Sequence, residues 1–547
     1  MTEPAKKRLS LPPRPCVGHL TLNLIVTAYV MAVLNPGFWV RLTAIFDDSP
    51  VNIALFAVSL AALTLFTLEL LGPGVLQKPV AAVLILMAAS ATYYERTFGV
   101  LVDRELIRSV LETTPTEASH LITPGAVLWI ALTGVLPAAL VFWPRVRRVR
   151  AVHHLWRWPL AVMVSLAVFL GGMFADFKAA SAVLREHQEL TGSFQPGATL
   201  MSILRYTRQQ LRVTDRVVQT VGGDAVPGQR LQAAAEPVLM VLFVGETLRA
   251  PNFGLDGYAR NTTPELAARD IVNLTAVHSC GTATTISVPC MFSPFAQADY
   301  SREEFLTHEN LLDILARAGF DVQWYDNNTG DQGVAARTGW QTVDPALDPV
   351  ACEVECTDEV FLPLIEQTAA TITRNTVLVL HMIGNHGPAY YLRYPEARRA
   401  FTPDCQTSHF ADCTTDEIVN AYDNAVLETD YVLSQAIDIL NASDRVLPAM
   451  VFVSDHGESL GEDGLYLHAA PMFMAPETQT RVPMVMWAGA GFRSAMSLDE
   501  ACLTDVAEQP ASHDNLFHTV LGMLDVTTGV RDASLDLTSG CHVTRQS

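Results

Sequence analysis

Two kinds of hydrophobic pattern divide the chain. Before residue 180 the apolar residues form long runs, several of them near the ~20 residues that a helix needs to cross a bilayer. Beyond residue 235 the apolar runs are short, as at 238–244 and 449–453, and segments with helical spacing lie between them. The first pattern predicts membrane-spanning helices. The second predicts an α/β domain, because short continuous apolar runs are typical of strands buried on both faces.

Five apolar runs are candidate membrane spans, at 17–40, 51–71, 76–94, 122–143 and 159–174. Buried helices of a soluble protein are the alternative, but several such runs follow one another. Five spans place three basic regions on one side, and basic loops face the cytoplasm. Those regions contain Lys6, Lys7, Arg8 and Arg14, then Lys78, then Arg145, Arg147, Arg148, Arg150 and Arg157. The polar loop 95–120 and everything after about residue 176 are therefore expected outside.

This pattern predicts three parts of the chain. Residues 1–176 form a transmembrane domain of five helices, residues 177–235 form amphipathic helices and a linker, and residues 236–547 form the catalytic domain. In the last part, strands alternate with helices, which predicts one α/β domain with a mostly parallel sheet. The predicted strands are 238–244, 377–380, 449–453 and 483–487, and the predicted helices include 310–318, 358–373 and 416–441.

The cysteines test the predicted orientation independently. Cys16 precedes the first span, and the other eight cysteines all lie beyond residue 275. An oxidising compartment would pair them, whereas a zinc knuckle would need a Cys-x-x-Cys spacing that is absent. Spacing alone does not determine the connectivity. Pairing nearest neighbours predicts Cys280–Cys290, Cys352–Cys356, Cys405–Cys413 and Cys502–Cys541.

The formal net charge is −21. Because the predicted cytoplasmic loops are basic, the acidic excess belongs to the outer domain. An acidic domain argues against nucleic acid as a partner.

Metal-ligating side chains follow the predicted strands directly. Asp455 and His456 come after the run 449–453, and Glu246 comes after the run 238–244. The ligand site of an open α/β sheet lies beyond the carboxyl ends of its strands, and carboxylate with imidazole suits zinc. His386, in Asn-His-Gly-Pro after the run 377–380, and His468 are further candidate ligands. A capped turn at 455–457 and a surface Glu246 are the structural alternatives.

Residues 279–290 form a hydroxyl-rich loop between two cysteines. Such a loop can present a hydroxyl at a helix start, where backbone N–H groups favour a phosphoryl group. A plain Thr-rich turn is the alternative. Metal coordination would lower the pKa of a Thr hydroxyl and make it a nucleophile, and two metals could clamp a phosphoryl displacement.

Together these stretches resemble the lipid A phosphoethanolamine transferases of Gram-negative bacteria, which include the mobile colistin-resistance (MCR) enzymes. The resemblance covers nearly the whole chain. The motifs that carry it are VGET at 244–247, SCGTAT at 279–284, SVPCMFS at 287–293, NHGP at 385–388, NAYDN at 420–424, SDHGESLG at 454–461 and SHDNLFH at 512–518. The resemblance implies an alkaline-phosphatase/sulfatase-like hydrolase fold that follows five membrane spans.

The same resemblance implies a role for each matching residue. Thr284 is expected to be the nucleophile, and Glu246, Thr284, Asp455 and His456 are expected to bind one catalytic zinc. His386 and His468 are expected to bind the phosphoethanolamine group or a second zinc, and Glu458 is expected to support the site.

The family's substrate positions fall partly in the loop between the third and fourth spans. The pattern Asn-x-x-x-Thr-x-x-x-Glu matches Ser109, Thr113 and Glu117, with Ser in place of Asn. Further along, Thr329 follows Asp-Asn-Asn, and the family's Lys is replaced by Gln332. That change removes a point charge that would meet a substrate phosphate, and Arg337 is the nearby residue expected to compensate.

The resemblance implies a zinc-dependent enzyme of the bacterial inner membrane with its catalytic domain in the periplasm. It would transfer phosphoethanolamine from phosphatidylethanolamine to a lipid A phosphate through a covalent threonine intermediate. The loss of negative surface charge would confer polymyxin and colistin resistance. The alternatives are phosphoethanolamine or phosphoglycerol transfer to another envelope glycan such as core oligosaccharide, and a membrane sensor with a structural zinc. A sulfatase would need a Cys-x-Pro-x-Arg motif that is absent. We expect a monomer.

Overall fold

The computed structural model describes residues 14–46, 49–147, 151–213 and 217–543, and the chain forms two compact units. The helical unit comprises Met1–Asp103 and Pro124–Leu204, and the sheet unit comprises Arg104–Thr123 and Arg205–Ser547. Five basic residues used to predict the orientation lie outside the described residues: Lys6, Lys7, Arg8, Arg148 and Arg150. The boundaries predicted near residues 176 and 235 stay predictions.

The helical unit contains the long apolar helices. Four are long and apolar enough to cross a membrane, at Pro50–Leu71, Gly74–Phe98, Pro124–Phe142 and Leu155–Ala175. They correspond to the last four apolar runs of the sequence. The last of them belongs to the longer helix Ala151–Ala175, which contains Pro159.

The first apolar run forms two helices instead of one. His19–Val33 and Pro36–Ile45 meet at an angle of 68°. Pro36 is the cause, since it has no N–H to donate and its ring disfavours a helical conformation for the preceding residue, Asn35. The pair counts as one broken span by length and composition, so the helical unit has up to five candidate spans in the described residues.

The predicted outer loop 95–120 is itself largely helical. Arg104–Glu112 and Pro115–Leu121 are helices, and both belong to the sheet unit. Thr114 caps the second helix with a reciprocal capping box to Glu117. The segment predicted as amphipathic helices and linker contains Phe177–Glu186, Gln188–Ser193 and Gly197–Val213.

The sheet unit is built around one eight-stranded sheet. In chain order its strands are β1 (Val238–Gly245), β2 (Val272–His278), β3 (Asp321–Asp326), β4 (Gln341–Thr342), β5 (Thr376–His381), β6 (Leu447–Ser454), β7 (Arg481–Ala488) and β8 (Ala511–Ser512). Their spatial order is β8-β2-β7-β6-β1-β5-β3-β4. The strands β1, β5 and β6 are buried along their whole length, as their continuous apolar runs predict.

The sheet is mixed, so the prediction of a mostly parallel sheet was wrong. β7 runs antiparallel to both of its neighbours, β2 and β6. The apolar run at 483–487 correctly predicted a buried strand there. A run buried on both faces carries no information about strand direction, which depends on how the chain returns to the sheet.

Helices cover both faces of the sheet, and each face has its own apolar core. On one face Val238, Met240 and Leu242 of β1 pack with helices Thr284–Met291, Leu311–Arg317 and Asp514–Met523. The alternate residues Leu239, Val241 and Phe243 pack with Phe361–Thr371 and Thr415–Ala442. This alternation follows from the two-residue period of a strand. Because β1 runs parallel to β5 and β6, the carboxyl ends of these three strands lie at one edge.

The structure contains four disulfides, Cys280–Cys290, Cys352–Cys356, Cys405–Cys413 and Cys502–Cys541. These are the nearest-neighbour pairs. Cys16 is exposed and unpaired among the described residues. The first disulfide joins the two ends of the segment that contains Thr284.

We expect thiol labelling of the denatured, non-reduced protein to modify one cysteine, Cys16. Reduction before labelling should expose all nine. Losing a structural disulfide typically costs ~2–5 kcal/mol of stability, so the loop disulfides should also protect the fold. Peptide mapping of the label checks the result. Labelling of several cysteines without reduction would contradict the pairing.

Candidate active site

The carboxyl ends of β1 and β6 bring the main candidate ligands together. The two strands are parallel neighbours, and Gly245 of β1 pairs with Ser454 of β6. The next residues, Glu246 and Asp455, therefore leave the sheet side by side, with His456 beyond them. The Asp455 N–H donates to the Gly245 carbonyl at 2.9 Å, which extends the ladder into the site. All three ligand candidates are fully buried.

Thr284 lies against this cluster at the start of helix Thr284–Met291. Its hydroxyl donates to Glu246 Oε2 at 3.1 Å and lies 3.3 Å from His456 Nε2. The helix N-terminus adds backbone N–H groups that favour a phosphoryl group at the same place. Thr282 donates to the Ala470 carbonyl, and the Thr285 hydroxyl has no hydrogen-bond partner among the described residues.

The cluster fits a divalent metal ion. One potential ligand atom from each of Glu246, Asp455 and His456 lies within 4.8 Å of the other two. Asp455 Oδ2 is buried without a hydrogen-bond partner among the described residues, and such an atom is costly unless something binds it. His456 Nδ1 lies 2.9 Å from the Gly457 carbonyl, which orients Nε2 toward the carboxylates as a metal ligand requires.

The charges in the cluster also favour a cation. Burial and the nearby charge of Glu246 raise the pKa of Asp455 well above its usual range. Burial also raises the pKa of Glu246, but the surrounding histidines outweigh it and lower the value to about 2. Burial and the charge of His468 lower the pKa of His456 to about 4, so its ring is neutral and can bind a metal.

His386 and His468 line the neighbouring part of the site. The His468 ring lies 4.5 Å from the His456 ring and 5.4 Å from the His386 ring, between centroids. Burial opposes protonation of His468, but Glu458 and other carboxylates raise its pKa to about 9. Glu458 is fully buried, 3.4 Å from His468. The structure therefore brings Glu458, His386 and His468 to the site.

Of the three outer-loop residues, Glu117 reaches the site. Its Oε1 lies 3.0 Å from His386 Nε2, and this pairing outweighs burial and lowers the Glu117 pKa. Thr113 and Ser109 lie in the preceding turn, where the Thr113 hydroxyl donates to the Ser109 carbonyl at 2.6 Å. These two residues therefore bond each other, and in the part of the chain that the structure describes neither bonds Glu246, Asp455 or His456.

The loop after β3 approaches from another side and carries Thr329 and Gln332. The Gln332 amide donates to the carbonyl and the hydroxyl of Thr329, each at 3.2 Å, so its side chain folds back on its own loop. Arg337, expected to compensate for Gln332, instead donates to Asp313 at 2.6 and 2.7 Å. That expectation was wrong, because the guanidinium is already occupied by a carboxylate.

Two supporting residues were missed at the sequence level. Asn328 donates to Glu246 Oε2 at 2.7 Å and to the Met382 carbonyl at 2.9 Å, which holds the carboxylate in place. His513 accepts from the Cys280 N–H at 3.1 Å and bonds the Ser454 carbonyl at 2.9 Å. It thus joins the Thr284 loop to the end of β6. Their positions in the DNNT and SHDNLFH motifs were a signal, but their partners are distant in sequence.

His381 is fully buried at the end of β5. Its Nδ1 lies 2.7 Å from Asp326 Oδ1. The pair lies behind Asn328, whose amide is 3.4 Å from His381 Nε2. His381 therefore belongs to the layer of residues that supports Glu246.

Two family models match the chain. The model described as "Sulfatase" matches residues 239–526, and the model described as "Phosphoethanolamine transferase EptA/EptB" matches residues 60–211. The first covers the sheet from β1 to β8 and the helix Asp514–Met523, and the second covers most of the apolar helices.

Characterised relatives match over almost the full length. The phosphoethanolamine transferase EptA of Escherichia coli K12 is 36% identical over 541 residues, which cover 97% of this chain and 98% of the relative. The phosphatidylethanolamine transferase Mcr-1 of Escherichia coli is 31% identical over 529 residues, covering 94% of this chain and 96% of the relative.

A solved structure extends the similarity to three dimensions. The integral membrane lipooligosaccharide phosphoethanolamine transferase A of Neisseria meningitidis superposes with a TM-score of 0.91 at 34% identity, covering 97% of this chain and 100% of the other. The fold is therefore of the sulfatase type with N-terminal apolar helices, and the chain is a membrane protein and a transferase. This chain belongs to the lipid A phosphoethanolamine transferase family.

Proposed function

We propose that the protein transfers phosphoethanolamine from phosphatidylethanolamine to a lipid A phosphate through a covalent intermediate on Thr284. The observation that carries this proposal is the placement of the Thr284 hydroxyl, 3.1 Å from Glu246 and 3.3 Å from His456. Both residues belong to a buried cluster of side chains that could bind a metal ion. A hydroxyl that borders on metal-ligating groups favours nucleophilic catalysis over a closed structural metal site.

Glu246, Asp455, His456 and Thr284 are the residues that would hold one zinc ion. When bound, zinc would lower the pKa of the Thr284 hydroxyl and offset the negative charge of the phosphoryl group. Asn328 holds Glu246 for this purpose, and the Gly457 carbonyl holds the His456 ring.

In the first half-reaction the Thr284 oxygen attacks the phosphorus of phosphatidylethanolamine. The new Thr284 O–P bond forms as the P–O bond to diacylglycerol breaks, and the proton lost by Thr284 ends on the glycerol oxygen. The diacylglycerol remains in the bilayer, which accounts for an enzyme with membrane-anchoring helices.

In the second half-reaction an oxygen of the lipid A phosphate attacks the same phosphorus. The P–O bond to Thr284 breaks, and Thr284 regains the proton that the attacking phosphate hydroxyl gives up. Because one nucleophile serves both steps, the two lipids need not occupy the site together.

We assign the remaining site residues to the substrate headgroup. His386 and His468 would bind phosphoethanolamine or a second zinc. Glu117 would orient the His386 ring at 3.0 Å, and Glu458 would orient the His468 ring at 3.4 Å. Ser109, Thr113, Thr329 and Gln332 remain candidate substrate contacts. The outer-loop helices belong to the same unit as the cluster, which supports this assignment for Glu117.

We further propose a bacterial inner-membrane location with five spans and the sheet unit in the periplasm. Four disulfides in that unit and the unpaired Cys16 support an oxidising outer compartment. Modified lipid A would carry less negative charge and bind cationic peptides less tightly, and this is the proposed route to polymyxin resistance.

Mass spectrometry of lipopolysaccharide from a polymyxin-sensitive host with and without the protein tests the acceptor. We expect lipid A to gain one phosphoethanolamine when the protein is present. A host that expresses an equal amount of the Thr284→Ala variant is the control. Modification of the core oligosaccharide with unmodified lipid A would instead favour the alternative acceptor.

Gln332→Lys should raise transfer to lipid A or leave it unchanged. The variant adds a cation to a loop that borders the site, while Glu246, Asp455 and His456 keep their contacts. Gln332 adopts a left-handed conformation, with φ at 50°, so Gln332→Met is the matched control for a long side chain without charge. A large loss of activity in the folded Lys variant, with the Met variant active, would contradict the expectation.

A further inference from the structure

We infer that Arg302 binds the phosphate of a lipid substrate beside Thr284. The inference rests on the proposed function, because it names a further binding residue for the same site. Three features carry it: the position of the guanidinium, its unused charge, and the absence of another cation in the adjoining loop.

Arg302 begins the helix Arg302–Thr307 and reaches toward the nucleophile helix. Its Nη1 lies 3.5 Å from the carbonyl of Thr285, the residue after Thr284. On the other side, a Cβ built on Gly333 would lie 3.8 Å from Arg302 Nη2. The guanidinium therefore borders on both segments that flank the nucleophile: the start of its helix, and the 326–333 loop that positions Glu246 through Asn328.

The charge of Arg302 is not occupied by a salt bridge. Other arginines of the sheet unit pair closely with carboxylates, as Arg337 does with Asp313 and Arg317 with Glu309, both at 2.6 Å. Arg302 has no such partner within 4.0 Å in the part of the chain that the structure describes. A half-buried guanidinium keeps its charge in proteins, so it presents donors that need an anion.

The groups around Arg302 do not supply that anion. Burial raises the pKa of Tyr300 to about 12, so the phenol is neutral at neutral pH. Glu112 is the acidic group that acts on Arg302, but it lies 4.0 Å from Arg108 and is shared with it. Arg108 in turn holds Glu105 at 2.6 Å. Glu105 is paired with both Arg104 and Arg108, so neither Glu105 nor Glu112 is held by Arg302 alone.

The loop on the other side of Arg302 contains no basic residue. Residues 327–333 read Asn-Asn-Thr-Gly-Asp-Gln-Gly, and the Gln332 amide is turned onto Thr329. The carboxylate of this loop, Asp331, accepts from the Ala335 N–H at 2.8 Å. A phosphate between the loop and Thr284 would meet the loop's amides and hydroxyls, and its charge would have to be met by Arg302. The planar guanidinium matches two phosphate oxygens at once, which suits it to this role.

The shared ligand chemistry is a lipid phosphate, and it has two sources. It is the phosphodiester of phosphatidylethanolamine in the first half-reaction or the acceptor phosphate of lipid A in the second. In the second, an anionic oxygen must approach a phosphoryl group that already carries negative charge. A cation beside Thr284 would offset this repulsion.

Full-length protein in detergent micelles allows the two half-reactions to be measured separately. Adduct formation on Thr284 from phosphatidylethanolamine reports the donor phosphate, and discharge of the adduct by added lipid A reports the acceptor phosphate. The variants are Arg302→Ala, Arg302→Gln and Arg302→Lys. Arg337→Ala is the matched control, since it removes a guanidinium that is already bound to Asp313.

We expect Arg302→Ala and Arg302→Gln to raise KM for one of the two lipids and to lower its kcat/KM roughly 10- to 100-fold, as loss of a charged hydrogen bond does. Arg302→Lys should recover part of the loss, because it restores the positive charge but not the two parallel hydrogen bonds of a guanidinium. Zinc content and thermal unfolding should match the wild type. A change in adduct formation assigns the donor phosphate, and a change in discharge assigns the acceptor phosphate.

Wild-type rates of both half-reactions in Arg302→Gln would overturn the inference. So would a loss of kcat at unchanged KM that is equal in the Gln and Lys variants, since it indicates a structural role. If the wild-type protein itself forms no adduct, the proposed function fails. If the wild type forms and discharges the adduct and the Arg302 variants do likewise, this inference alone fails.

Discussion

Thr284→Ala protein should form no phosphoethanolamine adduct and should transfer none to lipid A. The variant removes the hydroxyl that faces Glu246 and His456 and leaves the other candidate metal ligands in place. The loss should reach the detection limit, because the Thr247 hydroxyl, which also donates to Glu246, is fully buried, whereas Thr284 is partly exposed. Intact-mass analysis of protein incubated with phosphatidylethanolamine, followed by mapping of the Cys280–Cys290 peptide, measures it.

Thr285→Ala is the matched control for this result. Thr285 is the next residue of the same helix, and its hydroxyl is buried without a hydrogen-bond partner among the described residues. Its Ala variant should still form the adduct, as should Thr282→Ala. Thr284→Ser should keep some activity, since a hydroxyl remains. Normal modification of lipid A by Thr284→Ala would require direct transfer between the lipids or another nucleophile.

His456→Ala should lose zinc and activity together. The ring is fully buried and faces both Glu246 and Asp455 at 3.5 and 3.3 Å, so its removal leaves two carboxylates without a neutral nitrogen ligand. Loss of residues that merely support a metal ligand costs roughly 10- to 100-fold in metal affinity or activity, and loss of a ligand should cost more. Elemental analysis of the purified protein and the adduct assay together measure the effect.

His513→Asn provides a control for the loss of a buried histidine at the same strand edge. His513 binds the backbone of Cys280 and Ser454, and Asn can replace one of these hydrogen bonds. This variant should keep its zinc even if its activity falls. Full zinc content and full activity in His456→Ala would contradict the ligand assignment.

The sequence alone determined which segments are buried and which residues at their ends are candidate ligands. Glu246 and Asp455 each follow a continuous apolar run, and such runs form the central strands whose carboxyl ends build a site. The long apolar runs likewise predicted the helices of the helical unit. These features are local, because burial and helix length depend on residues that are near one another in sequence.

Only the tertiary structure decided the direction of β7 and the partners of the site residues. An apolar run indicates that a strand is buried but not in which direction it runs, so the antiparallel direction of β7 could not be predicted from it. Glu117 and His386 lie far apart in the sequence and meet only because the outer-loop helices belong to the sheet unit. Asn328, His513 and Arg337 likewise bond residues of other segments, Glu246, Cys280 and Asp313. Contacts between distant segments depend on strand order and helix packing, which the spacing of residues along the chain does not encode.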